Sequence, residues 1–111
     1  MSLSHRDLLM HILDETNFLL KATAGRSQAE ISQDEVLSRA VIRSLEIIGE
    51  ASKRLDNAFR EQHPQIEWKK MAGTRDKLIH DYFGVDYEIL WDIFENKLPI
   101  LKDTIERILA Q

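Results

Sequence analysis

The chain has 111 residues, no cysteine and a formal charge of -4 at pH 7. That length supports one domain with a real apolar core, needing neither disulfides nor a metal to hold it. Without thiols there is no disulfide or zinc-thiolate chemistry, and the acidic balance argues against a broad electrostatic grip on nucleic acid while leaving room for a local basic cleft. No stretch approaches the roughly 20 apolar residues of a membrane span. The N-terminus lacks a charged start followed by a long apolar run, so no secretory signal is expected and a cytoplasmic setting is. Met1, Ser2 and Leu3 are assigned no role.

Ser4 is placed to cap a first helix, with Asp7 in its first turn. Leu8, Leu9, Ile12, Leu13, Leu19 and Leu20 recur at helical spacing up to about Thr23. Ala24-Gly25-Arg26-Ser27-Gln28 breaks the pattern, and a loop or one short turn is expected as far as Gln33. Ser32 followed by Glu35 reads as a capping box that opens the longest helix, about Gln33 to Gln62. Its core stripe is Leu37, Val41, Leu45, Ile48, Leu55 and Phe59, and its polar side is narrow: Arg39, Arg43, Glu46 and Glu50. Ala40, Ile47 and Ala51 flank one side of the stripe, Ile42 and Gly49 the other. One neighbour does not require so wide an apolar arc, and a mid-helix glycine costs about 1 kcal/mol against alanine. A homodimer seam at Gly49 is therefore expected; the alternative is a central helix buried within a monomer.

His63-Pro64 ends that helix, because proline disfavours helical geometry in the residue before it. Ile66 and Trp68 anchor the connection, and a third helix runs from about Trp68 to Tyr82, with Gly84 as its stop. Asp86 caps the last helix, whose apolar face is Ile89, Leu90, Ile93, Phe94, Leu98, Leu101, Ile105, Ile108 and Leu109. Pro99 falls inside this register and should kink or split the helix near Lys97. The expected architecture is all-α: one domain over residues 1–111, a four- to five-helix bundle, mostly antiparallel.

One constellation carries chemistry. Arg75, His80 and Tyr82 are spaced R-x-x-x-x-H-x-Y on the third helix. Arginine offers a planar fork of donors that suits phosphate oxygens, and histidine exchanges protons near neutrality. Tyrosine supplies a hydroxyl that donates hydrogen bonds or accepts a covalent modification. On a regular helix Arg75 and His80 lie roughly 140° apart, whereas Arg75 shares a face with Tyr82, and Asp76 with His80. For all to meet one phosphate, the helix must unwind near His80 or a second chain must complete the site. Spacing alone leaves an ordinary helix end with solvated charges equally open. Lys69, Lys70, Arg75 and Lys77 make this helix the most basic place in an acidic protein, a candidate phosphate track. His5, His11 and His63 lack companions at ligand spacing, and no Glu-x-x-His pair, Gly-rich phosphate loop or Ser-His-Asp arrangement is present, so no metal or cofactor is expected.

The run Ala72-Gly73-Thr74-Arg75-Asp76-Lys77-Leu78-Ile79-His80-Asp81-Tyr82-Phe83-Gly84-Val85-Asp86 resembles the HepT-like toxins of the HEPN superfamily. The block Ala40 to Leu55 is similar to the family's long helix, and His63-Pro64-Gln65-Ile66-Glu67-Trp68 to the stretch between the two blocks. The resemblance covers most of the chain in order, with no departure at the three motif positions. It implies a HEPN-like helical dimer acting as a metal-independent endoribonuclease toxin, with Arg75 and His80 catalytic and Asp76 and Tyr82 in support. Lys69, Lys70 and Lys77 would then contact RNA. It further implies a partner, a minimal MntA-like nucleotidyltransferase antitoxin that silences the toxin by adenylylating Tyr82. The alternative from a different class is a non-catalytic helical module that dimerises and docks such a nucleotidyltransferase.

Overall fold

The computed structural model describes residues 3–80 and 87–111, with 75–80 and residue 87 described by backbone alone. Helix α1 spans His5–Thr23 and opens on a reciprocal cap. The Asp7 backbone N–H donates to Ser4 Oγ (3.1 Å), and the Ser4 N–H to the Asp7 carboxylate (3.2 Å). Leu8, Leu9, Ile12 and Leu19 are buried along one face, as their spacing predicts. The chain leaves through Gly25, whose φ of 70° is a conformation glycine alone adopts without strain. No atom crowds the space where a side chain would stand there, so backbone conformation, not packing, calls for glycine.

The expected loop or single turn to Gln33 is instead a helix, α2, over Gln28–Gln33. Six residues cannot hold a helix by themselves. This one has its own capping box, Ser27 with Glu30, and the fully buried Ile31 ties it to the core. Helix α3 follows over Glu35–Arg54. Its cap is not Ser32, whose hydroxyl donates back to the Ala29 carbonyl within α2 (3.2 Å). Asp34 does the capping, its carboxylate accepting from the Leu37 N–H at 2.9 Å.

The long helix expected to reach Gln62 stops at Arg54. Leu55, buried, takes extended geometry, and Asp56 starts a separate short helix, α4 (Asn57–Gln62), by accepting from the Phe59 N–H at 2.8 Å. The Asp56-Asn57 pair is the physical cause: short polar side chains compete with helical bonding and favour caps. Helix α5 spans Trp68–His80 and α6 spans Tyr87–Asp92. A π segment, Ile93–Lys97, then leads into α7, Leu98–Leu109. Pro99 has no N–H to give, and its ring clashes with the carbonyl four residues back. The backbone widens just before it, the Leu98 N–H bonding the Ile93 carbonyl, so the split lies where the sequence places it. The Asp86 cap and the Gly84 stop lie outside the described residues.

Four rods, α1, α3, α5 and the α6–α7 run, make the bundle, with α2 and α4 as short connectors. Cross-links fix the directions. Arg6 donates to the Leu109 carbonyl (3.3 Å) and Lys102 to Asn17 (2.7 Å), so α1 and α7 run antiparallel. Ser44 donates to the Glu15 carbonyl (3.3 Å) and His5 meets Asp56 (2.9 Å), so α1 and α3 do too. Helix α3 is central: α1, α2 and α5 all pack on it. Val41, Leu45, Ile48, Gly49 and Ala51 are buried against them, while Leu37 and Phe59 are half-buried. Much of the apolar arc is covered within one chain, and Gly49 is buried on it. Buried hydroxyls are satisfied locally, Thr16 on the Ile12 carbonyl and Ser52 on that of Ile48. Among the described residues no helix is long and apolar enough to cross a membrane.

Candidate active site

The motif helix is anchored at its start. Ile66 and Trp68 are both 5% exposed, and Trp68 Nε1 donates to the His63 carbonyl at 3.0 Å. Phe59 stacks between three rings, with centroids 4.6 Å from His5, 4.8 Å from His63 and 6.3 Å from Trp68. His5 and His63 thus have structural settings, and Trp68 is core and no platform for a base. Among the described residues no cluster of His, Asp or Glu is arranged to hold a metal ion.

Glu67, immediately before α5, is a residue the sequence reading missed. Its carboxylate takes Lys70 at 2.9 Å on α5 and Lys97 at 2.8 Å at the end of the π segment. Hydrogen bonds from Lys97 and then Lys70 hold its pKa down to about 2, and Glu67 in turn raises that of Lys97. The result is a surface clamp between the start of the motif helix and the turn before Pro99. The three-residue step from Glu67 to Lys70 was visible in the sequence; the contact with Lys97, thirty positions away, was not.

The clamp divides the expected RNA-contacting lysines. Lys70 is engaged by Glu67, whereas Lys69 is exposed and lines a shallow hollow with Arg60 and Glu61 of α4. Lys77 lies in the stretch described by backbone alone. Beside the clamp, a cavity of about 310 Å³ runs between α3, α5 and α7, walled by Leu45, Ile48, Met71, Ile93 and Leu101, with Glu67, Lys70 and Lys97 at its rim.

Further along α5, Thr74 donates to the Lys70 carbonyl (2.8 Å), and the helical backbone continues through Arg75, Asp76, Lys77 and His80. No unwinding occurs before or at His80. At about 100° per residue, the Arg75 and His80 positions therefore remain roughly 140° apart around the axis, and Asp76 and His80 one turn apart on one face. Tyr82 lies outside the described residues.

The decisive comparison is with known families. Residues 12–108 match the family described as Ribonuclease HepT-like. This chain belongs to it. Three HepT-like relatives are similar over most of their length. A protein of Caldanaerobacter subterraneus subsp. tengcongensis named "Putative RNase" is 49% identical, covering 96% of this chain and 95% of its own. One from Methanocaldococcus jannaschii, also named "Putative RNase", is 46% identical over 94% and 86% respectively. A Thermococcus cleftensis protein named "Probable ribonuclease HepT" is 43% identical over 97% and 98%. No solved structure matches the chain. The all-α bundle is the HEPN-like architecture expected of a HepT-like ribonuclease.

Proposed function

We propose that this chain is a metal-independent endoribonuclease, the toxin of a prokaryotic toxin–antitoxin module. The observation that carries the reading is the R-x-x-x-x-H-x-Y motif, whose Arg75 and His80 positions lie on an anchored helix, in a chain of the HepT-like ribonuclease family. RNA brings its own nucleophile. His80 takes the proton from a 2′-hydroxyl; the 2′-oxygen attacks phosphorus and the bond to the 5′-oxygen breaks. The departing 5′-oxygen takes its proton from an acid, the role of the second His80 in a homodimer. Arg75 meets the negative charge that builds on the phosphoryl oxygens. Asp76, one turn before His80, orients the imidazole, Tyr82 positions the phosphate, and Lys69, Lys70 and Lys77 steer the RNA strand. The products are a 2′,3′-cyclic phosphate and a 5′-hydroxyl, and DNA is inert because it lacks the nucleophile.

Silencing would come from a small MntA-like nucleotidyltransferase that adenylylates Tyr82. An attached phosphodiester would occupy Arg75, as arginines capture phosphorylated side chains. A second reading, a non-catalytic module that docks the nucleotidyltransferase, is favoured by the separation of Arg75 and His80 around one helix. Incubation of the purified chain with RNA in EDTA separates the two. Cleavage that leaves cyclic phosphate ends, and is absent in Arg75→Ala, supports the nuclease. Cleavage only on adding magnesium excludes the mechanism, and no cleavage at all leaves the docking module. Mass spectrometry after co-expression with the partner is expected to find AMP on Tyr82.

A further inference from the structure

Lys69, Gly73, Asp76 and His80 step along α5 by four, three and four positions, on a backbone that is helical from Trp68 to His80. At about 100° per residue, the Gly73, Asp76 and His80 positions all fall within about 40° of Lys69 around the axis. They form one stripe. Lys70 stands about 80° to the side of His80, and Glu67 holds it. Lys69 and Gly73 are both exposed, and no atom stands where a side chain at Gly73 would project. From Lys69 to the His80 position the stripe runs about 16 Å along the helix.

At its Lys69 end the stripe meets α4. Lys69 shares a hollow of about 240 Å³ with Asn57, Arg60, Glu61 and the buried Trp68. Most cations among the described residues are engaged by carboxylates: three pairs on α3, two on α7, and Lys70 and Lys97 on Glu67. Arg60 and Lys69 are not. Arg60 donates to the neutral Asn57 side-chain carbonyl at 2.6 Å, and the nearby Asp56 carboxylate is turned to His5 and the Phe59 N–H. Two uncommitted positive charges thus share one hollow, in line with the His80 position.

We propose that Arg60 and Lys69 form a phosphate-binding subsite for single-stranded RNA, and that the strand runs from there over Gly73 to His80. The subsite deepens the proposed function and rests on it for its substrate. It adds Arg60, which the spacing of the α5 lysines does not reveal, because it arrives from α4 across the turn at His63-Pro64. The arginine fork suits two phosphate oxygens at once, and lysine adds a point charge beside it. Gly73 leaves a level stretch where a side chain would lift the strand off the helix. Glu61 in the hollow and Asp76 on the stripe both oppose a polyanion, so the contact is confined to the phosphates nearest Arg60 and Lys69. An acidic protein surface is the competing occupant; alignment with the His80 position favours RNA, whose cleavage requires the strand to reach that face.

The test uses a labelled single-stranded RNA of mixed sequence with 2′-O-methyl riboses, which offers phosphates but no nucleophile. Its binding is followed by fluorescence anisotropy across a salt series. Arg60→Ala and Lys69→Ala are each expected to weaken binding several-fold whatever the sequence. Each should also reduce the slope of log affinity against log salt by about 0.7, the loss of one phosphate contact. Lys21→Ala makes the same charge change near the other end of α1 and is expected to alter neither quantity. Glu61→Gln is expected to tighten binding. Arg60→Lys, which keeps the charge, is expected to retain most of the affinity, and unchanged circular dichroism checks the fold. On cleavable RNA, Arg60→Ala should raise KM and leave kcat near the natural value, because it stands away from the reacting phosphate. An equal loss in Lys21→Ala would reduce the effect to net charge and overturn the subsite. Arg60→Ala and Lys69→Ala variants that bind RNA as the natural chain does would overturn it too, including variants that instead lose a co-expressed protein partner. If such variants still cut RNA, the subsite falls and the nuclease stands. RNA held with the expected dependence by a chain that never cuts it would do the reverse.

Discussion

Helices α3 and α5 lie against each other and divide the labour of the molecule. Helix α3 has twenty residues, an aspartate cap and a continuous buried face. Helix α5 has thirteen, is tied down at its start by Trp68 and Glu67, and carries Gly73 exposed in its middle. One is built to be stable; the other has its anchors at one end and its motif at the other. The contrast teaches that the proposed chemistry stands on an element whose own stability is modest and which borrows rigidity from a neighbour.

The largest expected effect falls on α5 alone. His80→Ala should lower RNA cleavage by about 10²- to 10⁴-fold, the usual worth of a positioned general acid–base, while the thermal midpoint stays where it was. Cleavage that persists in the variant would remove His80 from the chemistry. The converse change is made on α3. Leu45 is 4% exposed and lines the cavity facing α5, so Leu45→Ala should cost roughly 2–5 kcal/mol of folding stability. Urea unfolding measures it, and cleavage by the folded fraction should drop far less than in the histidine variant.

A smaller effect sharpens the contrast by strengthening α5. No atom crowds the space where a side chain at Gly73 would stand, so Gly73→Ala should raise stability by about 0.5–1 kcal/mol. A loss of stability there would mean that the motif helix needs glycine for some other reason. The smallest effect concerns the Glu67 clamp. Its folded pKa, about 2, lies below the ordinary 4.5, so its contribution is full above pH 4.5 and fades as the pH falls toward 2. Glu67→Gln should flatten that part of the stability profile, and salt should shrink the difference because the pairs are exposed. An unchanged acid limb would mean the clamp contributes nothing to folding.

The sequence by itself determined much of this molecule. The period of Leu8, Leu9, Ile12 and Leu19, the cap at Ser4, the end at His63-Pro64 and the break before Pro99 are all written in local chemistry, and local chemistry is what a helix obeys. So is the motif, whose residue types and spacing need no fold to be noticed. Other features depended on which of several local options the core would reward. Ser32 and Asp34 both had the chemistry to cap α3; Asp34 does so because Ile31 goes into the core and draws the preceding turn into α2. The apolar pattern ran unbroken from Leu37 to Phe59, and the chain stops and restarts where the burial of Leu55 meets the capping chemistry of Asp56 and Asn57. The pairing of Glu67 with Lys97 belongs to the same class. Contacts between distant positions exist only once the helices have chosen their neighbours, and that choice is made by burial summed over the whole bundle, which no single stretch of sequence contains.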